Sequence, residues 1–101
     1  MPDYLFLMHN DTPKQQDESG NEAWGSYLRK LEASGNFQGG SAIGGGLCVR
    51  KRDAAPAITG HLSGFLRISA TSIDDARTLI AGNPVFEAGG TVEIRELPRS
   101  D

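Results

Sequence analysis

GHLSGFLRISATSIDDARTLIAGNPVFEAGGTVEIREL, residues 60–97, reads as strand, helix, strand. Gly64 to Ala70 alternates, with Leu66, Ile68 and Ala70 on one side and Phe65, Arg67 and Ser69 on the other. A period of two with one apolar row predicts a half-buried strand. Ser72, with Asp75 three residues on, is a capping-box-like helix start, because both side chains can reach free amides there. Ile73, Ala76, Leu79 and Ile80 then share one helical face, which predicts a helix over 72–81. Gly82 can adopt the left-handed conformation that closes a helix, and Pro84 is read as barring its resumption. Thr91 to Leu97 alternates again, Val92 and Ile94 against Glu93 and Arg95. Two strands joined by a helix are expected to run parallel within one sheet, with a right-handed crossover.

Working back from that stretch, Asp3 to His9 (DYLFLMH) is apolar in both alternating rows, as in a central strand. Asn10 to Ser19 is polar, contains Pro13, and predicts a long loop. Ser19 with Glu22 forms a second capping box. Trp24, Tyr27, Leu28 and Leu31 follow on one helical face, so a helix is expected over 19–34, ended by Gly35. Trp24 is read as a core residue of that stripe. Phe37 to Ile43 predicts a second strand, interrupted at Gly39-Gly40. Gly44-Gly45-Gly46 reads as a turn, Leu47 to Arg50 as a short strand, and Asp53 to Thr59 as a connector. The glycines do not make a phosphate loop, which requires a helix directly after them whose amino end binds the anion.

The predicted order is strand, helix, strand, short hairpin piece, strand, helix, strand. Two split strand–helix–strand units give an α+β fold, a ferredoxin-like sandwich with an antiparallel sheet and two helices on one face. The opposite face, bearing Phe65, Arg67 and Glu93, then needs a cover. A second copy of the chain is the natural one, so a homodimer is expected.

At 101 residues the chain is read as a single domain, 1–101. Only 38% of it is hydrophobic, and a chain this short buries only roughly two thirds of its unfolded surface. Both points favour a subunit interface. The net charge is −3, with acids and bases mixed along the chain. No nucleic-acid partner is expected, since that would need a clustered basic face; Arg50-Lys51-Arg52 reads as a solvated turn. Cys48 is the sole cysteine, so no internal disulfide forms, and it reads as a small buried strand residue. No signal peptide or membrane-spanning segment is read from the sequence, and a soluble cytoplasmic protein is expected.

The opening strand, LEASGNFQGGSAI (31–43), SGFLRISATSIDDAR (63–77) and NPVFEAGGTVEIRELP (83–98) together resemble the YCII-related family, and its DGPF-type members in particular. The resemblance covers nearly the whole chain. It implies a small bacterial protein whose ferredoxin-like subunit pairs into a dimeric α/β barrel. Two departures stand out. The Asp-Gly-Pro-Phe motif is absent, its region reading Ala57-Ile58-Thr59-Gly60-His61. Other members carry a histidine in the first helix, proposed to act with an aspartate as a catalytic dyad. By an ungapped count back from Leu31 that position is Trp24, so the histidine does not carry over.

The chain has two histidines, and the topology brings them together. His9 ends the first strand and His61 precedes the third, and antiparallel neighbours place an end beside a start. Asp11 lies two residues beyond His9. A carboxylate hydrogen-bonded to an imidazole fixes its tautomer and raises its basicity, as a general base requires. His9, Asp11 and His61 are therefore the candidate catalytic residues, with Arg67 as the candidate ligand-binding residue for an anionic group. His9, Asp11 and His61 are also a possible metal set, with too few certain ligands to be persuasive, and no cofactor is expected. Ordinary strand-end histidines and an interfacial ion-pair role for Arg67 remain the alternatives. Two classes of function fit: a cofactor-independent acid–base enzyme acting on a small polar or anionic molecule, and a non-catalytic module that binds a ligand or partner.

Overall fold

The computed structural model describes residues 1–13 and 19–98, with side chains from Glu22 onward in the first helix. The elements are β1 (Asp3–His9), α1 (Ser19–Ser34), β2 (Phe37–Ala42), β3 (Leu62–Ser69), α2 (Ile73–Thr78), α3 (Pro84–Glu87) and β4 (Val92–Leu97). The capping contact expected of Ser19 falls on a side chain outside those described. The four strands form one sheet in the order β2-β3-β1-β4. β1 lies between β3 and β4 and is antiparallel to both, so those two run parallel to each other. The register sets Leu5 between Arg67 and Arg95, and Leu7 between Phe65 and Glu93.

Alternation along β1 decides where the core sits. Tyr4, Phe6 and Met8 are buried with Leu66 and Ile68 of β3, and Tyr27 and Leu31 of α1 and Ala76 of α2 close over them. Burying such side chains is worth about 1.5–3 kcal/mol each. Leu5, Leu7 and Phe65, on the other face, are only half-buried and stand outside this cluster. Tyr27 ties α1 to the end of α2 by donating its hydroxyl to the Leu79 carbonyl at 2.7 Å. Burial pushes its phenol from 10.0 up to about 12. A raised acid contributes stability that is complete below the unfolded value and lost as pH climbs through the folded one. Tyr27→Phe is therefore expected to reduce the loss of stability between pH 10.0 and about 12, measured as melting temperature against pH.

Three features correct the sequence reading. The chain folds as an antiparallel four-stranded sheet with three helices, and that sheet is not closed into a barrel. β2 and β4 each end it without a further partner among the described residues. Closure requires the two end strands to pair, and β2 and β4 stand at opposite ends of the order with β3 and β1 between them. The two-helix sandwich pairing as a dimeric α/β barrel is thus replaced by an open sheet.

The third helix arises at Pro84, which begins a helix instead of preventing one. Proline suits the first helical position, where its missing amide costs nothing. Asn83 caps that turn, its side-chain oxygen accepting from the Val85 and Phe86 amides at 2.9 and 3.2 Å. Upstream, Ser72 Oγ accepts from the Asp75 amide at 3.1 Å to start α2, and Gly82 lies at φ +90 beyond its end. Asn83→Ala is expected to cost about 0.5–2 kcal/mol, as cap removals do, readable as a shift in the denaturation midpoint.

Residues 47–50 form no strand. The segment 43–61 is irregular, and Cys48 within it is partly exposed instead of buried in a sheet. Apolar alternation specifies a strand only where a neighbouring edge receives it, and none does here.

Candidate functional site

Three chain segments meet at one end of the sheet. The His9 amide donates to the Thr91 carbonyl at 3.0 Å, which joins the end of β1 to the entry of β4. The Asn10 amide donates to the His61 carbonyl at 2.9 Å, and Asn10 Nδ2 to the Gly60 carbonyl at 3.0 Å. These bonds hold the entry of β3 against the exit of β1. His9 and His61 consequently stack edge to face, their ring centroids 4.8 Å apart and their planes at 72°.

His9 Nε2 lies 2.9 Å from Glu93 Oε1. Hydrogen bonds from His9 and Arg95 hold the Glu93 carboxyl below its usual 4.5. It is therefore ionised at neutral pH and can only accept, so Nε2–H is the donor and Nδ1 keeps the free lone pair of the neutral ring. The His9 side chain is 19% exposed, enough shielding to fix its orientation and enough access for a small molecule. Arg95 Nη1 braces the other carboxylate oxygen at 3.1 Å.

Asp11 does not touch His9. Its carboxylate accepts from the Thr91 amide at 2.9 Å and from the Thr91 hydroxyl at 2.7 Å. Those two bonds hold its pKa below the usual 3.8 and pin the loop that presents Glu93. Arg67 is not brought to the histidines either. It sits beside Leu5, four residues along β1 from His9, or about 13 Å at strand rise. Its guanidinium is bonded to Asp3 at 3.2 Å.

Glu93 is the residue that reading along the chain missed as the partner of His9. The signal was present: Glu93 lies opposite the Val92/Ile94 row, on the face that His9 shares once β4 is placed beside β1. Asp11 and Glu93 both have depressed pKa values, so each contributes stability above its unfolded value that is lost as pH falls through the lower folded one. Asp11→Asn and Glu93→Gln are each expected to flatten the acid side of a plot of melting temperature against pH.

A second feature lies on the helix side of the sheet. Trp24, Leu28, Phe37 and Val85 wall a cleft of about 430 Å³ whose floor is the backbone at Gly40 and Gly64. A Cβ at Gly64 would stand 3.4 Å from Met8 Cε and 3.2 Å from the Ser41 carbonyl. A Cβ at Gly40 would instead run into the Phe65 carbonyl and Leu66 of β3, so that position needs glycine for the close approach of the two strands. Trp24 packs edge to face on Tyr27, 5.9 Å between centroids. Among the described residues no three His, Cys, Asp or Glu side chains are grouped to hold a metal ion. No described helix is long and apolar enough to cross a membrane.

The YCII-related domain matches residues 3–99. The chain belongs to the YCII-related family. The match is to that domain as a whole; with the Asp-Gly-Pro-Phe residues absent, the narrower DGPF-type resemblance is not supported. No curated protein matches the chain. A similar solved structure is 5-chloro-2-hydroxyhydroquinone dehydrochlorinase (TftG) from Burkholderia phenoliruptrix AC1100, in complex with 2,5-dihydroxybenzoquinone. It is 18% identical over 97% of this chain and 95% of its own, with a TM-score of 0.55, a likeness of fold. In this YCII-related chain the histidine pair lies at the sheet end, and Trp24 of the first helix walls the cleft.

Proposed function

We propose that this YCII-related protein is a cofactor-independent acid–base enzyme acting on a small polar or anionic molecule. His9 is the base, through Nδ1. Glu93 positions it by accepting from Nε2–H and stabilises the imidazolium that forms when a proton is taken up. His61, in ring contact with His9, is a second proton carrier or substrate contact. Asp11 supports the site by holding the Thr91 turn. Arg67, tied to Asp3, reaches only the far end of an extended anionic substrate. The observation that carries this reading is the 2.9 Å His9–Glu93 bond on a largely shielded imidazole. A carboxylate–imidazole pair of this kind is what a general base needs near neutral pH.

The named activity of the similar structure guides the substrate class. A dehydrochlorination removes a proton and chloride, and the bound dihydroxybenzoquinone is a small acidic ring compound. Hydroxylated quinones, hydroquinones and small carboxylates are the first compounds to test, by thermal shift and then by turnover. A ligand that stabilises the wild type, and no longer stabilises His9→Ala, supports the site. Turnover that survives in His9→Ala within a few fold removes His9 as the base.

The cleft favours a second reading, a non-catalytic module for a flat apolar ligand. In that case Gly64→Val, which fills the floor, abolishes ligand stabilisation, and His9→Ala leaves it intact. We also propose that the working unit is a homodimer, from the small core and from Leu5, Leu7 and Phe65, which the described residues leave only half-buried.

A further inference from the structure

Residues 44–59 form an arm. All of them are exposed except the half-exposed Cys48. Among the described residues, every hydrogen bond made by 44–59 stays within it: Cys48 Sγ to the Ala57 carbonyl at 3.6 Å and Arg50 Nη1 to the Ala54 carbonyl at 3.3 Å. Its outward reach shows in the radius of gyration, 15.1 Å, against about 13 Å for a compact chain of this length. The arm nonetheless carries large apolar side chains. Leu47 is 78% exposed, Val49 85% and Ile58 46%.

Two observations identify what covers it. The first is charge. Arg50, Lys51 and Arg52 against Asp53 give the arm +2, which leaves −5 on the rest of a chain whose net charge is −3. A basic arm on an acidic body is self-complementary between copies. The second is the open sheet face, where Leu5, Leu7 and Phe65 are half-buried and stand outside the core cluster, while the arm projects away from its own body. Reciprocal exchange, each arm lying on the other chain, satisfies both surfaces at once and closes with twofold symmetry, so it does not propagate into a fibre.

We propose that the arm, residues 44–59, is a clasp that packs on a second copy of this chain, with Leu47 and Val49 as its apolar contacts and Arg50, Lys51 and Arg52 directed at the partner's acidic surface. This rests on the homodimer reading and adds to it the element that makes the contact. Cys48, between the two apolar contacts, reports on it directly.

The test uses the full chain. Sedimentation velocity at micromolar concentration is expected to show two chains for the wild type and one for Leu47→Asp/Val49→Asp, with unchanged circular dichroism because both side chains are exposed in the single subunit. Alkylation of Cys48 by a maleimide is expected to slow about tenfold as the wild type is concentrated through its dimerisation range, since thiol reactivity follows access, and Arg50→Glu/Arg52→Glu is expected to abolish that protection. A wild-type dimer that persists in both double variants, with Cys48 unprotected, overturns the clasp and leaves the homodimer standing. A wild-type monomer at all accessible concentrations overturns both.

Discussion

Replacing His9 by alanine is expected to reduce kcat by about 10²–10⁴-fold, the usual contribution of a positioned acid or base. The measurement is turnover of whichever compound passes the thermal-shift screen. The fold should survive, because His9 ends β1 and is partly exposed, and its side-chain hydrogen bond is to a surface carboxylate. Glu93→Gln separates chemistry from architecture. The amide can still accept from Nε2–H, so the ring keeps its orientation, and it no longer offsets the positive charge that builds on the imidazole. A fall in kcat with KM unchanged is the expected result. If KM rises and kcat holds, Glu93 touches the substrate and does not serve His9. His61→Ala should act more weakly than His9→Ala, since His61 has no carboxylate partner of its own among the described residues. An equal or larger loss in His61→Ala would reverse the assignment of base and second carrier.

Phe6→Ala is expected to have the largest effect on stability. Phe6 lies on the central strand and is fully buried, 0% exposed, so truncation opens a cavity bordered by both the sheet and the helices. Such changes cost about 3–5 kcal/mol. Against a total of about 5–15 kcal/mol for a typical domain, that removes much of the margin. For a domain of this size the melting temperature should fall by about 15 °C or more. A drop of only a few degrees would show that the core is organised elsewhere.

Much of the fold was legible because period and capping agreed. β1, α1, β3 and β4 stand where alternation or a helical stripe placed them, and the cap at Ser72 makes the predicted bond to the Asp75 amide. Sequence misleads where a residue has two opposite uses. Pro84 ends a helix when it follows one closely and begins one when a capping residue precedes it; Asn83 decided for the second. Leu47 to Arg50 has the composition of a strand with no sheet edge to join. The candidate site was legible in part for a related reason. The neighbourhood of His9 and His61 follows from strand order alone, which chain topology reveals. The identity of the carboxylate that holds His9 depends on the register of β4 against β1, and register is fixed by packing across the sheet. Asp11 was near in sequence and Glu93 was near in space.

β2, at one margin of the sheet, is short and holds Gly39 at φ +111, and its pairing with β3 slips between Phe37 and Gly40. β4, at the other, presents Glu93, Arg95 and Glu96 along its length. A kinked, glycine-rich margin and a charged one are both poor templates for a newly arriving strand. Crowded copies of the chain emerging from ribosomes therefore meet no straight ribbon onto which to stack. Association is steered away from open-ended growth, and aggregation during synthesis is resisted by the same backbone irregularity that keeps this sheet at four strands.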